Sequence, residues 1–167
     1  RGVKCRVLAD AQASSHFLKF AAPQLRQAGV DVRAMLPVKL VRRKLHRLDL
    51  RNHRKLMIVD GKVAQTGSQN IADPDYGTKD LAWQDVWTRL RGPVVRQLQA
   101  VFCEDWAYET GSLPDDLGEL FPDRDELWDG ERGVPVQSVP SGPGYGNDSF
   151  RDVMVEIVHA ARERVIL

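Results

Sequence analysis

Residues 51–70 read RNHRKLMIVDGKVAQTGSQN, a stretch in which two apolar runs flank a turn-forming dipeptide. The run LMIV at 56–59 predicts a buried strand, and residues 62–66 predict a second strand. Asp60-Gly61 lies between them and is a strong signal for a tight hairpin turn. We therefore predict an antiparallel hairpin whose two open ends lie side by side.

The polar side chains of this hairpin fall at its open ends. His53 and Lys55 are two residues apart, so both would point to the same face of an extended strand. An imidazole and an ammonium beside a polar loop predict a phosphate site. The pattern consists of H-x-K-x4-D at His53, Lys55 and Asp60, followed by G-S-x-N at Gly67, Ser68 and Asn70.

Strand and helix patterns alternate before the hairpin. Residues 3–9 and 30–36 predict strands, and a helix between them is capped by Ser14-Ser15. Pro23 within that helix predicts a late start or a kink, because proline removes a backbone hydrogen bond.

After the hairpin, residues 71–81 predict a turn-rich loop and residues 82–90 predict a strand with Asp85 in its middle. Gly92-Pro93 ends that strand and starts a helix, since proline fits the first helical turn. The apolar stripe of this helix is expected to be core: Val94, Leu98, Val101, Phe102 and Trp106.

Residues 111–133 are acidic and rich in turn formers, so they predict a linker. Residues 134–139 predict a strand, residues 141–147 a flexible loop, and Ser149 the cap of an apolar-faced helix. Residues 165–167 resemble the beginning of a further strand. The repeated strand, helix, strand order predicts an α/β layered fold with a duplicated architecture.

The net charge of +1 hides an asymmetry between the two ends of the 167-residue chain. Residues 1–103 contain 19 Lys and Arg against 8 Asp and Glu, whereas residues 104–167 contain 5 against 15. The basic segment 39–55 would attract phosphate-bearing partners, either anionic lipid headgroups or nucleic acid. A solvated basic loop is the alternative for its arginines distant from His53.

The sequence shows no sign of a membrane-spanning segment, a secretory signal or a disulfide. No apolar run approaches the roughly 18 residues that cross a bilayer, and no signal peptide opens the chain. Cys5 and Cys103 lie far apart in apolar surroundings and predict buried, reduced thiols. Because the chain opens at Arg1 in a strand-like segment and stops within another, we expect further sequence on both sides.

The two motifs resemble the HKD signature of the phospholipase D superfamily. The sequences RNHRKLMIVDGKVAQTGSQNIAD and WQDVWTRLRGPVVRQLQAVFCEDW narrow the resemblance to the first catalytic lobe of bacterial cardiolipin synthases. The sequence VPVQSVPSGPG, followed by a helix pattern and VIL, resembles the opening of that family's second lobe. The resemblance covers nearly the whole chain.

This resemblance implies a phospholipase D-like layered sheet flanked by helices. Residues 1–110 would form the first catalytic lobe, truncated at its N-terminus, residues 111–133 an acidic linker, and residues 134–167 the beginning of a second lobe. None of the remaining histidines (His16, His46 and His159) begins a second H-x-K-x4-D motif. The second motif is therefore expected in a second lobe outside these residues or in a second copy of the chain.

The implied activity joins two phosphatidylglycerol molecules into cardiolipin and glycerol through a phosphohistidine. The implied partners are this phospholipid and an anionic membrane surface, and the implied location is the bacterial inner membrane, with anchoring segments outside these residues. No metal and no cofactor is implied. Nucleic acid is not an expected partner, because residues 39–55 contain no aromatic side chain on which a base could stack.

The motif residues receive roles from the resemblance and from phosphoryl chemistry. His53 is our candidate nucleophile, although one half-site leaves the nucleophile and acid roles open. Lys55 would hold the non-bridging phosphate oxygens, and Asn70 would donate to the same oxygens. Ser68 would add a hydroxyl donor or would fit the tight turn.

Two acidic residues complete the expected site. Asp85 would orient the His53 imidazole, because the family has an acidic residue at this point, and an exposed strand aspartate is the alternative. Asp60 is counted with the catalytic motif, but its position in the turn predicts a structural role.

Three other functions remain open at this stage. The same half-site could hydrolyse phospholipids with water as the acceptor, or could cut nucleic acid held by the basic segment. A binding lobe at the membrane surface without catalytic activity is the third alternative.

Overall fold

The computed structural model describes residues 2–37, 51–72, 83–123, 133–142, 145 and 148–166. The chain divides into two compact units, one comprising Arg1–Asn52, Tyr108–Gly111 and Val139–Leu167, the other His53–Ala107 and Ser112–Ser138. Its described residues form two sheets and several helices, which confirms the α/β class. In chain order the elements are β1 (Arg6–Asp10), α1 (Ser15–Phe20), α2 (Ala22–Gln27), β2 (Asp31–Met35), β3 (Leu56–Val59), β4 (Val63–Gly67), β5 (Trp87–Arg91), α3 (Val94–Thr110), α4 (Leu117–Leu120) and α5 (Ser149–Ala160).

The first unit is built on a parallel pair of strands, β1 and β2, in which Arg6 faces Asp31. The helix predicted between them is present, but it is interrupted at Ala21 and resumes as α2 with Pro23 in its first turn. Proline is tolerated there because the first amide groups of a helix have no intrahelical partner. The predicted disturbance of the helix at Pro23 therefore takes the form of a break, with a new helix starting just before the proline. The buried apolar side chains of this unit include Ala22, Val32 and Met35.

The carboxylate of Asp10, at the end of β1, is 7% exposed and holds three backbone amides. Its Oδ1 accepts from the amides of Gln12 (3.0 Å) and Ala13 (2.9 Å), and its Oδ2 accepts from that of Asn52 (3.2 Å). A buried carboxylate requires such donors, because an unpaired one would lose its hydration without compensation. Asn52, which precedes the H-x-K motif, is therefore attached to the end of β1.

The second unit contains the antiparallel sheet β3-β4-β5 and most of α3. The predicted apolar stripe of α3 is confirmed as core: Val94, Val101 and Trp106 are buried. The other two members, Leu98 and Phe102, are half-buried, and the rings of Phe102 and Trp106 lie 6.0 Å apart.

Several local predictions are wrong. Residues 134–139 form no strand, and the amide of Ser138 instead donates to the Oε1 of Gln97 (2.8 Å). The short helix α4 lies within residues 111–133, whose assignment as a linker is not affected by it. Helix α5 begins at Ser149 itself, with Asp148 at the N-cap and no side-chain capping bond, and residues 165–166 form no strand.

The prediction that both cysteines are buried is correct for one of them and wrong for the other. Cys103 is buried as predicted, but Cys5 is exposed because it precedes the first residue of β1. The predicted loops at 39–50 and 73–81 lie outside the described residues, as do residues 124–132 of the predicted linker. The proposed division into lobes and linker stays a prediction.

The turn residue Gly61 supplies a test of the fold. Its φ is +64°, and an added Cβ would lie 2.6 Å from the Cδ of Pro122 and closer still to the carbonyl oxygen of Leu120. We expect Gly61→Ala to lower the free energy of unfolding by about 2 kcal/mol, because alanine disfavours this positive φ and its Cβ would collide with the backbone and side-chain atoms named above. Urea denaturation measures this loss.

Gly118→Ala is the matched control, because its added Cβ would meet no atom within 4 Å. It lies in α4, where alanine is the better helix former, so its stability should be unchanged or slightly raised. Equal stabilities of the two variants would contradict the close approach at Gly61.

Candidate active site

The geometry of the motif follows from the turn between β3 and β4. Asp60 and Gly61 both have positive φ, at +53° and +64°, and the amide of Lys62 donates to the carbonyl of Val59 (3.0 Å). Positive φ at both central residues defines the type I′ turn that Asp-Gly favours. The predicted hairpin is confirmed, with Leu56 facing Thr66. Residues before Leu56 therefore come beside the residues that follow Thr66.

His53 and Lys55 lie at this open end. The prediction that they belong to the extended strand is wrong. Strand β3 begins at Leu56, and residues 51–55 carry no strand assignment. The Nζ of Lys55 donates to the backbone carbonyl of His53 (2.8 Å), so the ammonium lies beside the histidine main chain. The His53 side chain is exposed and Lys55 is half-buried, so a ligand from solvent can reach the imidazole.

Ser68 and Asp85 are brought into direct contact. The Oγ of Ser68 donates to the Oδ1 of Asp85 (2.7 Å) and accepts from the amide of Val86 (3.0 Å). The amide of Ser68 in turn donates to the carbonyl of Val86 (3.0 Å). Asp85 is not in the middle of a strand, because β5 begins only at Trp87. Its orienting role toward His53 stays a prediction.

Gly67 allows this contact to form. An added Cβ on Gly67 would lie 2.9 Å from the Cα of Trp87 and closer still to the carbonyl oxygen of Val86. Any side chain would therefore push the end of β4 away from the start of β5. The glycine of G-S-x-N is therefore required by the close approach of the two backbones, which the sequence pattern alone did not reveal.

The other two predicted residues are Asn70 and Asp60. Asn70 is half-buried two residues beyond Ser68, and its phosphate-binding role stays a prediction. Asp60 is exposed in the turn, five residues from Lys55, a separation of about 16 Å at roughly 3.3 Å per residue. This placement favours the structural role for Asp60, because aspartate is among the residues that tolerate positive φ.

Sequence reasoning missed an ion pair at the centre of the motif. The Nη1 of Arg54 lies 3.2 Å from the Oδ1 and 3.0 Å from the Oδ2 of Asp105 in α3. The Arg54 side chain is 20% exposed and that of Asp105 is 9% exposed. Spacing could have indicated it, because Asp105 continues the helical series of Val94, Leu98 and Val101, and a carboxylate on an apolar face needs a partner.

Among the described residues, no group of three or more His, Cys, Asp or Glu side chains could hold a metal ion. The described residues do place together an exposed His53 imidazole, a Lys55 ammonium bonded to the His53 main chain, and a serine–aspartate pair between the end of β4 and the start of β5. Such groups can bind an anion and transfer protons.

Comparison with known proteins identifies close relatives. Residues 1–106 match the family described as "Cardiolipin synthase, PLD-like domain". Cardiolipin synthase A of Pectobacterium carotovorum subsp. carotovorum is 37% identical over 175 residues, which cover 100% of this chain and 35% of that relative. Cardiolipin synthase A of Yersinia pseudotuberculosis is 37% identical over 174 residues, again 100% of this chain and 35% of the relative. No solved structure matches this chain.

The Val86 amide reports on the Ser68 hydroxyl, because the two are directly hydrogen-bonded. We expect Ser68→Ala to accelerate hydrogen exchange at this amide about fivefold, the equivalent of losing roughly 1 kcal/mol of hydrogen bonding. Exchange measured by NMR at single-residue resolution tests this.

Ser14→Ala is the control, since the Ser14 side chain makes no capping hydrogen bond at the start of α1. It should leave the exchange of Val86 unchanged. Unaltered exchange in Ser68→Ala would show that the hydroxyl does not hold this end of the sheet.

Proposed function

We propose that this chain, which belongs to the cardiolipin synthase family of PLD-like domains, carries one half-site of a phosphatidyltransferase. The proposed reaction joins two phosphatidylglycerol molecules into cardiolipin and glycerol. The carrying observation is the Lys55 ammonium 2.8 Å from the His53 carbonyl at the open end of the hairpin. The chain spans about a third of the length of the curated relatives it matches, at 35%. The reaction is therefore proposed for the whole protein.

A phosphodiester resists attack because its negative charge repels nucleophiles, and the proposed chemistry divides its transfer into two steps. A nitrogen of His53 forms a bond to phosphorus while the bond from phosphorus to the glycerol oxygen breaks. A second imidazole protonates the departing glycerol. It then takes the proton from a hydroxyl of the second phosphatidylglycerol, whose oxygen displaces His53 from phosphorus. Atoms and charge balance without an oxidant, a reductant or a cofactor.

The second imidazole has to come from another HKD motif. His16 and His159, in the part of the chain that the structure describes, do not begin such a motif, nor does His46. A second lobe, or a second copy of this chain, would supply it. The nucleophile and acid roles of the two imidazoles are interchangeable in this scheme.

The remaining groups would stabilise the charge on phosphorus. Lys55 would hold the non-bridging oxygens, where a fixed positive charge offsets the negative charge of the transition state. Asn70 and Ser68 would donate to the same oxygens. Asp85 would accept from the nitrogen of His53 that does not attack, which leaves the other nitrogen free for phosphorus. The Ser68–Asp85 bond supports this assignment because it holds Asp85 beside the loop that follows β4.

The proposed setting is the surface of the bacterial inner membrane. The positive charge of residues 1–103, with 19 Lys and Arg against 8 Asp and Glu, suits a surface of anionic lipid. Among the described residues, no helix is both long and apolar enough to cross a bilayer.

We expect His53→Ala in the complete gene product to abolish transfer, because the reaction then lacks either the nucleophile or the general acid. We expect Lys55→Met to slow transfer by a factor of about 10² to 10³, as for the loss of one donor to a developing charge. The assay incubates the protein with phosphatidylglycerol vesicles and quantifies lipid products and released glycerol by mass spectrometry. Cardiolipin and glycerol in equal amounts would support the transferase.

Lys62→Met and His16→Ala are the matched controls, because one lies at the far end of the hairpin and the other in α1. Both should retain wild-type turnover. Phosphatidic acid with glycerol would identify a hydrolase instead, and a loss of less than tenfold in Lys55→Met would make that residue peripheral.

A further inference from the structure

We propose that the Arg54–Asp105 ion pair is a positioning device that sets the placement of His53 and Lys55. The inference rests on the proposed function, because it concerns the same half-site. Arg54 is the residue between these two side chains, and its guanidinium bonds a carboxylate 51 residues further along the chain, in α3. The role inferred for the pair is to position its neighbours, and it does not require either side chain to contact the substrate.

The backbone that carries the two site residues is not held by the sheet. Pairing between β3 and β4 begins with Leu56 and Thr66, so the segment 53–55 precedes the first paired residue. The bond from Lys55 to the His53 carbonyl is local and cannot fix the segment against the rest of the unit. The Arg54 side chain provides a long-range attachment, and its position between the two site residues makes that attachment central.

Burial makes the Arg54–Asp105 bond costly to break from one side only. Asp105 is 6% exposed as a residue, and both of its carboxylate oxygens contact the same guanidinium nitrogen at 3.0 and 3.2 Å. Removing one partner would take this bond from the other charge, which has little access to water, and such a loss is strongly destabilising. Replacing both with apolar side chains of similar size is often neutral for stability, because neither charge then has to be buried. Stability and positioning can therefore be separated by experiment.

The first experiment measures turnover of the complete gene product on phosphatidylglycerol vesicles, expressed per folded molecule and at a temperature well below the lowest Tm. Arg54→Met should lower kcat about 100-fold with little change in KM, as expected for a displacement of about 1 Å at a reacting group. The double variant Arg54→Met/Asp105→Leu should recover much of the lost Tm but not the lost kcat. Recovery of both together would overturn the proposal, since the pair would then be only structural.

Arg96→Met is the matched control. Arg96 also lies on α3, where its Nη1 donates to the carbonyl of Pro122 (2.5 Å) and its guanidinium covers the ring of Phe121. It is nine residues from Asp105, about 13 Å along the helix. Arg96→Met should lower Tm without changing kcat. Should Arg54→Met fail to fold, the isosteric Asp105→Asn keeps an acceptor and should give a smaller loss of kcat in the same direction.

A second experiment separates failure of this inference from failure of the proposed function. The imidazole resonance of His53, with selectively labelled histidine and assignment by His53→Gln, reports its surroundings without any substrate. Arg54→Met should shift or split this resonance, and Arg96→Met should leave it unchanged. A wild-type protein that is inactive on lipid, with the resonance moving as expected, would reject the function and keep the positioning role. An unmoved resonance would reject the positioning role whatever the activity.

Discussion

The candidate site depends on one constraint, the register that the Asp60-Gly61 turn imposes on the hairpin. Positive φ at both residues is compatible with a two-residue connection, and that connection sets Leu56 opposite Thr66. A shift of one residue would exchange the two faces of β3, so that its half-buried side chains would become the exposed ones. The same shift would move Lys55 away from the end of β4. The turn therefore brings His53 and Lys55 beside Ser68, although it lies at the opposite end of the hairpin.

Buried carboxylates are the second recurring element. In the first unit Asp10 holds the amide of Asn52, and in the second unit Asp105 holds the guanidinium of Arg54. In each case a carboxylate that would be costly to bury alone accepts a hydrogen bond from a distant part of the chain. Each bond therefore specifies position, and neither is expected to contribute much net stability.

Patterns with a strong local cause were predictable from the sequence. The hairpin followed from Asp60-Gly61 between apolar runs, and the break between α1 and α2 followed from Pro23. The buried face of α3 followed from its helical spacing, and membership of the family followed from the H-x-K-x4-D and G-S-x-N motifs with their flanking sequences.

What failed depends on contacts between distant residues. The start of β3 at Leu56 and of β5 at Trp87 is decided by where pairing with β4 ends, which apolar content does not report. Residues 134–139 have strand-like composition but pair with no strand among the described residues, and the amide of Ser138 donates to Gln97 instead. The Arg54–Asp105 bond joins residues 51 apart, and the apparent solvent exposure of an arginine in a basic segment concealed it.

The Ser68 hydroxyl has a consequence for the order of events in the proposed reaction. A hydroxyl has a single hydrogen, and in the described structure that hydrogen is given to Asp85 at 2.7 Å. A phosphate oxygen that accepts from Ser68 would have to compete with Asp85 for it. Asp85 would then be available to accept from another donor, which the ring N–H of His53 could supply. Phosphate binding at Ser68 and alignment of the His53 imidazole by Asp85 would in this way be coupled, because both depend on which acceptor the Ser68 hydroxyl donates to.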